Sequence, residues 1–131
     1  MRASTKWVVV FVGVVLLALI GSAAFADDPI AIQGVGASHQ KLANGDIQFK
    51  FTVRVDVSVT PLTYNFHWER SDGAKSAVKV ASVKKGVTSF TITEEWKLGP
   101  NSGLTEIWEQ LFINTGTTHL SSKQIKIAVP K

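Results

Sequence analysis

The stretch DIQFKFTVRVDVSVT, residues 46–60, decides the fold of this chain. Apolar side chains occupy every second position from Ile47 to Val59, and polar side chains lie between them. Successive side chains of a β-strand point to opposite faces of a sheet, so this period of two predicts a long strand with one face in a core and one in water. Asn44-Gly45 directly precedes it, a dipeptide favoured where both turn residues need positive φ, and predicts a hairpin with the segment around residues 30–38.

Similar short segments follow along the chain, separated by turn residues. They predict strands at residues 64–69, 77–83, 87–98, 106–114 and 123–129, with turns or loops at 71–73, 85–86, 99–103 and 114–116. No segment of this part has a helical period. About seven short strands at regular spacing indicate an all-β fold, an immunoglobulin-like sandwich of two sheets, in a single domain over residues 27–131.

The predicted core consists of the apolar and aromatic residues at alternating positions of these strands. They are Phe51, Val53, Val55, Tyr64, Phe66, Trp68, Phe90, Ile92, Trp96, Trp108, Ile125 and Ile127.

The N-terminus has the pattern of a secretory signal peptide. Arg2 and Lys6 precede an apolar run over residues 7–20, and Ala24-Phe25-Ala26 supplies the small-x-small site. We therefore expect a signal helix over residues 1–26, with cleavage between Ala26 and Asp27. The alternative is an uncleaved anchor, since residues 7–26 approach the length that spans a bilayer. In both cases residues 27–131 are exported, either released or held at the cell membrane by this segment alone.

Composition limits the class of protein further. The 131 residues include no cysteine, so no disulfide can stabilise the exported domain and its apolar core must suffice. Of the 14 basic residues two belong to the signal segment, which leaves 12 basic against 10 acidic residues in the domain. This near balance argues against nucleic acid as a partner, because nucleic-acid binding needs basic residues gathered on one face.

The run LTYNFHWERSDGA, residues 62–74, resembles the third strand and following turn of an Ig-like domain found in secreted and surface proteins of environmental bacteria. The likeness continues at residues 87–90, 95–99 and 108–111, and covers roughly residues 47–129. In the Ig pattern a tryptophan on the third strand fills the space between the sheets, a position that Trp68 matches. Many relatives carry cysteines, or a tyrosine near the start of the penultimate strand, which this chain lacks. The resemblance implies a fold and no activity.

Four residues are candidates for ligand contact. Trp96 and Trp108 could stack on sugar rings, because an aromatic face is an apolar platform for a carbohydrate. Core packing is the favoured interpretation for both, since aromatic residues of a small sandwich mostly supply burial. Asp72 and Asn101 belong to predicted turns and could contact a ligand there, since sandwich loops carry function on a rigid frame.

Neither a catalytic site nor a metal site is expected. His67 and Glu69 share one face of a predicted strand, but a zinc site needs three or four ligands. A glycosidase needs two carboxylates across a cleft, which a compact sandwich does not offer to Glu94, Glu95, Glu106 or Glu109. Ser71 with His67 lacks an oxyanion loop.

These observations predict a non-enzymatic module without a cofactor, secreted or surface-associated, that contacts a protein or a cell-wall polymer through its edge strands and loops. One alternative is a carbohydrate-binding module with an exposed tryptophan. The other is a structural protein that assembles through edge strands.

Overall fold

A computed structural model of the chain describes residues 28–131. The predicted signal helix and the Ala26–Asp27 bond lie outside these residues. The described part contains eight strands and no helix. The strands are β1 (Ile30–Lys41), β2 (Ile47–Val57), β3 (Leu62–Arg70), β4 (Lys79–Val83), β5 (Ser89–Leu98), β6 (Glu106–Asn114), β7 (His119–Ser121) and β8 (Ile125–Ala128).

The strands form two antiparallel sheets. The first has the order β1-β2-β5, and the second has the order β4-β3-β6-β7, with β8 also paired to β6. β7 pairs with residues 112–114 of β6 and β8 with residues 106–109, so both run along the same edge of β6. Between them Ser122 is buried, and its hydroxyl accepts a hydrogen bond from the Leu111 amide at 3.0 Å. β7 was not predicted because its three residues are too short to show a period.

The predicted hairpin between the first two strands is confirmed. β1 and β2 pair from Ile30 opposite Val57 to Lys41 opposite Ile47, with a bulge between Ile32 and Gly34. The loop is longer than a two-residue turn, and only Gly45 takes a positive φ, of 92°. Asn44 keeps a negative φ, and its side chain accepts a hydrogen bond from the Asp46 amide at 3.0 Å. Asn44 thus contributes through a side-chain turn rather than through left-handed backbone.

The inner faces of both sheets meet in one apolar core. Every second residue of β2 from Ile47 to Val57 is buried, as the period of two predicted. Across from it lie Trp68 of β3 and the inward residues of β6, among them Ile107 and Leu111. One core therefore joins the two sheets.

The residues predicted for the core divide into three groups. Nine are buried in it: Phe51, Val53, Val55, Tyr64, Trp68, Ile92, Trp96, Ile125 and Ile127. Phe66 and Phe90 are partly buried and pack against it. Placing Trp108 in the core was wrong: it is half-buried and outside this cluster. The reason is the register of β6, in which Ile107 and Glu109 point inward and Trp108 therefore points outward.

Candidate binding face

The outward surface of the second sheet carries a set of aromatic and amide side chains, which we call the aromatic face. Its members are Asn65, His67 and Glu69 on β3, Trp108, Gln110, Phe112 and Asn114 on β6, and His119 and Ser121 on β7. Directly opposed residues of neighbouring strands place their side chains on the same face of a sheet. The register therefore creates one row of Asn65, Asn114 and His119, and a parallel row of His67, Phe112 and Ser121.

The rings of His67 and Phe112 stack within the second of these rows. Their centroids lie 5.0 Å apart and their planes differ by 7°. His67 is also held through its ring nitrogen, since Nε2 lies 3.0 Å from Oε2 of Glu69. This hydrogen bond lowers the pKa of Glu69, and the nearby ammonium of Lys75, 3.7 Å away, acts in the same direction. Glu69 is thus a fixed anion that orients the imidazole beside the phenyl ring.

A groove of about 300 Å³ lies over these rows. Its lining includes the side chains of Asn65, His67, Phe112, Asn114, His119 and Ser121. Among the residues that the structure describes, Asn65, His119 and Ser121 have no side-chain hydrogen-bond partner. The side-chain oxygen Oδ1 of Asn114 accepts a hydrogen bond from the Gly116 amide at 2.7 Å, which shapes the turn into β7. The groove thus offers unpaired polar groups beside an aromatic wall.

A second polar cluster lies between the sheets. Glu109 of β6 is 0% exposed, and its direct partner across the strands is Arg70 of β3. Arg70 Nε lies 3.6 Å from Oε2 of Glu109, and Arg70 Nη2 lies 3.3 Å from Oε2 of Glu94 on β5. The guanidinium also covers the ring of Trp96 at 4.8 Å from its centroid. Arg70 therefore connects the two sheets through charge and cation–π contacts.

Burial raises the pKa of Glu109 to about 8. The Arg70 charge opposes this shift, while Glu94 and Asp72 add to it. Neither carboxyl oxygen of Glu109 has a hydrogen-bond partner within residues 28–131. A buried carboxyl without hydrogen-bond donors is more stable as the uncharged acid, and we therefore expect Glu109 to keep its proton at neutral pH. Since no part of it is exposed, it is a structural group and not a contact for a ligand.

The four residues that the sequence suggested for ligand contact lie in different parts of the structure. Trp96 is buried and its ring is covered by Arg70, which leaves no platform there. Trp108 lies on the aromatic face. The turn that contains Asp72 adjoins it, because the Ser71 amide donates to the Trp108 carbonyl at 3.0 Å. Asn101 is exposed in the loop after β5.

The residues that line the groove were not identified from the sequence. The one available signal was that residues 106–114 carry large side chains at consecutive positions, which indicates two occupied faces. His67 and Glu69 do meet, but within residues 28–131 no group of three or more His, Asp or Glu side chains is arranged to hold a metal ion. The described part also has no helix long and apolar enough to cross a membrane.

Comparison with known proteins reveals only distant similarity. No family model and no curated protein matches the chain. Among solved structures, a Bordetella pertussis protein assigned as ApaA is 12% identical with a TM-score of 0.42, and the match covers 79% of this chain and 97% of that one. The C-terminal domain of wzt is 13% identical with a TM-score of 0.41, over 79% of this chain and 74% of that one. A protein from Archaeoglobus fulgidus is 11% identical with a TM-score of 0.40, over 77% and 99%. These sequence identities and TM-scores are too low to support an argument about family or function.

Proposed function

We propose that this chain is an exported, non-catalytic binding domain of the Ig-like class that contacts a cell-wall polymer through its aromatic face. The observation that carries the proposal is the groove, in which unpaired polar side chains adjoin a stacked histidine and phenylalanine. Aromatic rings with a few placed polar groups are the usual lining of a binding site.

The order of the strands supports the Ig-like class. In that class the first, second and fifth strands share a sheet, and the third and sixth belong to the other sheet. β1, β2 and β5 form one sheet here, and β3 and β6 are neighbours in the other. β4 departs from the constant-type order, in which the fourth strand joins the first sheet, because it pairs with β3. Trp68 on β3 is buried between the sheets, as the tryptophan of the third strand is in that class.

Export is the part of the proposal that rests on residues 1–26. If cells that express the full chain remove this segment, the protein recovered outside the cytoplasm will begin at Asp27. N-terminal sequencing of the recovered protein measures this directly. A chain that begins at Met1 and fractionates with membranes would instead show an uncleaved anchor, and a full-length chain in the cytosol would contradict export.

Binding through the aromatic face can be tested with insoluble cell-wall preparations. We expect the protein, purified from cells that express the full chain, to sediment with them, and the Phe112→Ala variant to bind at least about tenfold more weakly, the loss expected when a well-placed aromatic anchor is removed. The matched control is Thr93→Ala, because Thr93 is exposed on the outer face of the other sheet. Equal binding by both variants would contradict the proposal.

A second candidate function is assembly through the edge strand β4. Val78 and Val80 at this edge are 63% and 73% exposed, and an exposed apolar edge strand can pair with a strand of another chain. Val80 lies opposite Asn65, on the side of the aromatic face, so Val78→Lys is the variant that separates the two functions. If the edge is used for assembly, analytical ultracentrifugation will show oligomers that Val78→Lys dissociates, and Phe112→Ala will leave them intact. If the aromatic face is the contact, Phe112→Ala reduces sedimentation with cell walls and Val78→Lys does not.

A further inference from the structure

We propose that the groove binds a neutral saccharide unit of a linear polymer, whose neighbouring units lie along β6 toward Trp108. This inference rests on the proposed function and specifies the class of ligand that the aromatic face recognises.

The lining of the groove excludes a ligand that depends on charge. The residues around it include two asparagines, two histidines, a serine and a phenylalanine, and no lysine, arginine, aspartate or glutamate. Proteins hold carboxylates and phosphates with arginine or lysine, whose charged donors match these anions. An acidic sugar or a phosphorylated ligand would therefore meet no permanently charged cation among the lining residues, and an uncharged polar ligand is favoured.

The unpaired polar groups match hydroxyls. The Asn65 amide has a donor and an acceptor side by side, and within residues 28–131 neither is used. The Ser121 hydroxyl can donate and accept, and the two ring nitrogens of His119 add further hydrogen-bonding positions. A sugar hydroxyl likewise donates one hydrogen bond and accepts others. A row of such side chains can therefore pair with several hydroxyls of one ring.

The phenyl ring supplies the apolar part of the site. One face of Phe112 is stacked on His67. The residue opposite Phe112 on its other side is Ser121, which is too small to cover the second face. Phe112 lines the groove, where the C–H groups of a sugar ring can pack against the phenyl ring.

A peptide strand is a poorer occupant of this site. Peptides that add to a sheet bind through the free backbone groups of an edge strand. The groove lies over the outward faces of β3, β6 and β7, and the backbone of β6 is already paired on both sides. β7 is the end strand of this sheet in the described part, and a peptide paired to its outer edge would lie beside the groove rather than over these three strands. Recognition within the groove therefore uses side chains, which matches a saccharide better than an extended peptide.

The aromatic face also extends beyond the groove. Gln110 and Trp108 follow Phe112 on the same side of β6, and a strand rises about 3.4 Å per residue, which places Trp108 roughly 14 Å from Phe112. A linear oligosaccharide that starts in the groove can reach the half-buried indole. Affinity should therefore increase with chain length until the ligand spans this distance.

In the test, protein purified from cells that express the full chain is titrated with neutral linear oligosaccharides. Binding is measured by calorimetry and by amide NMR shifts. The probes are β-1,4-linked glucose, N-acetylglucosamine and mannose oligomers, their monosaccharides, and an acidic polygalacturonate oligomer. We expect one neutral series to bind, with shifts at residues 65–67, 112–114 and 119–121. We expect its longer oligomer to bind about tenfold more tightly than the monosaccharide, because each additional 1.4 kcal/mol of contact is worth tenfold.

Three variants make the assignment specific. Asn65→Ala should weaken binding of short and long ligands alike, about fivefold or more, as the loss of one or two hydrogen bonds implies. Trp108→Ala should weaken only the long ligand. Thr93→Ala should change neither.

Several results would overturn the inference. Stronger binding of the acidic oligomer would do so, as would shifts confined to β4. If none of the neutral oligomers binds while Phe112→Ala still reduces sedimentation with cell walls, the saccharide inference is wrong and the binding-domain proposal stands. If sedimentation is also unaffected by Phe112→Ala, both are wrong.

Discussion

The free energy of unfolding of this protein will decrease as the pH rises from about 5 to about 8, because buried Glu109 keeps its proton in the folded state and releases it on unfolding. Burial raises the pKa of Glu109 in the folded protein to about 8, from an ordinary value of 4.5. Between these two values the folded state holds one more proton than the unfolded state. Stability then falls by up to about 1.4 kcal/mol per pH unit, so the total loss is of the order of a few kcal/mol.

Urea titrations at several pH values, between about 5 and about 8, measure this loss directly. Glu109→Gln keeps the shape of the side chain without a titrating proton, and we expect it to remove most of the pH dependence. The control is Glu106→Gln, since Glu106 is on the same strand and exposed. A wild-type curve that rises over this range, or an equally steep curve for Glu109→Gln, would contradict a raised pKa of Glu109 in the folded state.

The charge state of Glu109 determines the role of Arg70. If Glu109 is uncharged at neutral pH, Arg70 is mainly the partner of Glu94, which lies 3.3 Å away, and of the Trp96 ring. As the pH rises and Glu109 ionises, the Arg70 guanidinium is the cation placed to compensate it, 3.6 Å away. The buried carboxyl and the inter-sheet arginine thus form one electrostatic unit.

Trp68→Ala is expected to cause the largest loss of stability among the tryptophan substitutions, about 3–5 kcal/mol at pH 6, as for other large aromatic residues removed from a core. Trp68 is 2% exposed and lies between the sheets opposite Leu111 on β6. Its removal leaves a cavity in contact with both sheets, which neighbouring side chains fill only in part. Chemical denaturation should show a lower midpoint with an unchanged slope.

Trp108→Ala is the matched comparison, because it removes the same side chain from the outer face of the adjacent strand. We expect it to cost about 1 kcal/mol or less, as is usual for substitutions outside the core. Equal losses for the two variants would contradict the register of β6 described above.

The sequence by itself determined the β-class, the first hairpin and the inward face of β2. These features depend on a period of two and on a turn dipeptide, both of which are local properties of the chain. It also indicated Trp68 as a core residue, because Trp68 belongs to a strand in which apolar and polar residues alternate cleanly. Its N-terminal pattern predicts export, which depends on residues outside the described part.

The tertiary structure alone decided which face of β6 is buried and which residues meet across strands. Residues 106–114 are large at consecutive positions, so periodicity could not tell the face of Trp108 from that of Glu109. Only the pairing of β6 with β3 and β7 brings Asn65, Phe112 and Ser121 together, from positions far apart in the chain. Contacts between distant segments depend on sheet register, which one strand's own pattern does not specify, and so the groove became visible only in the folded protein.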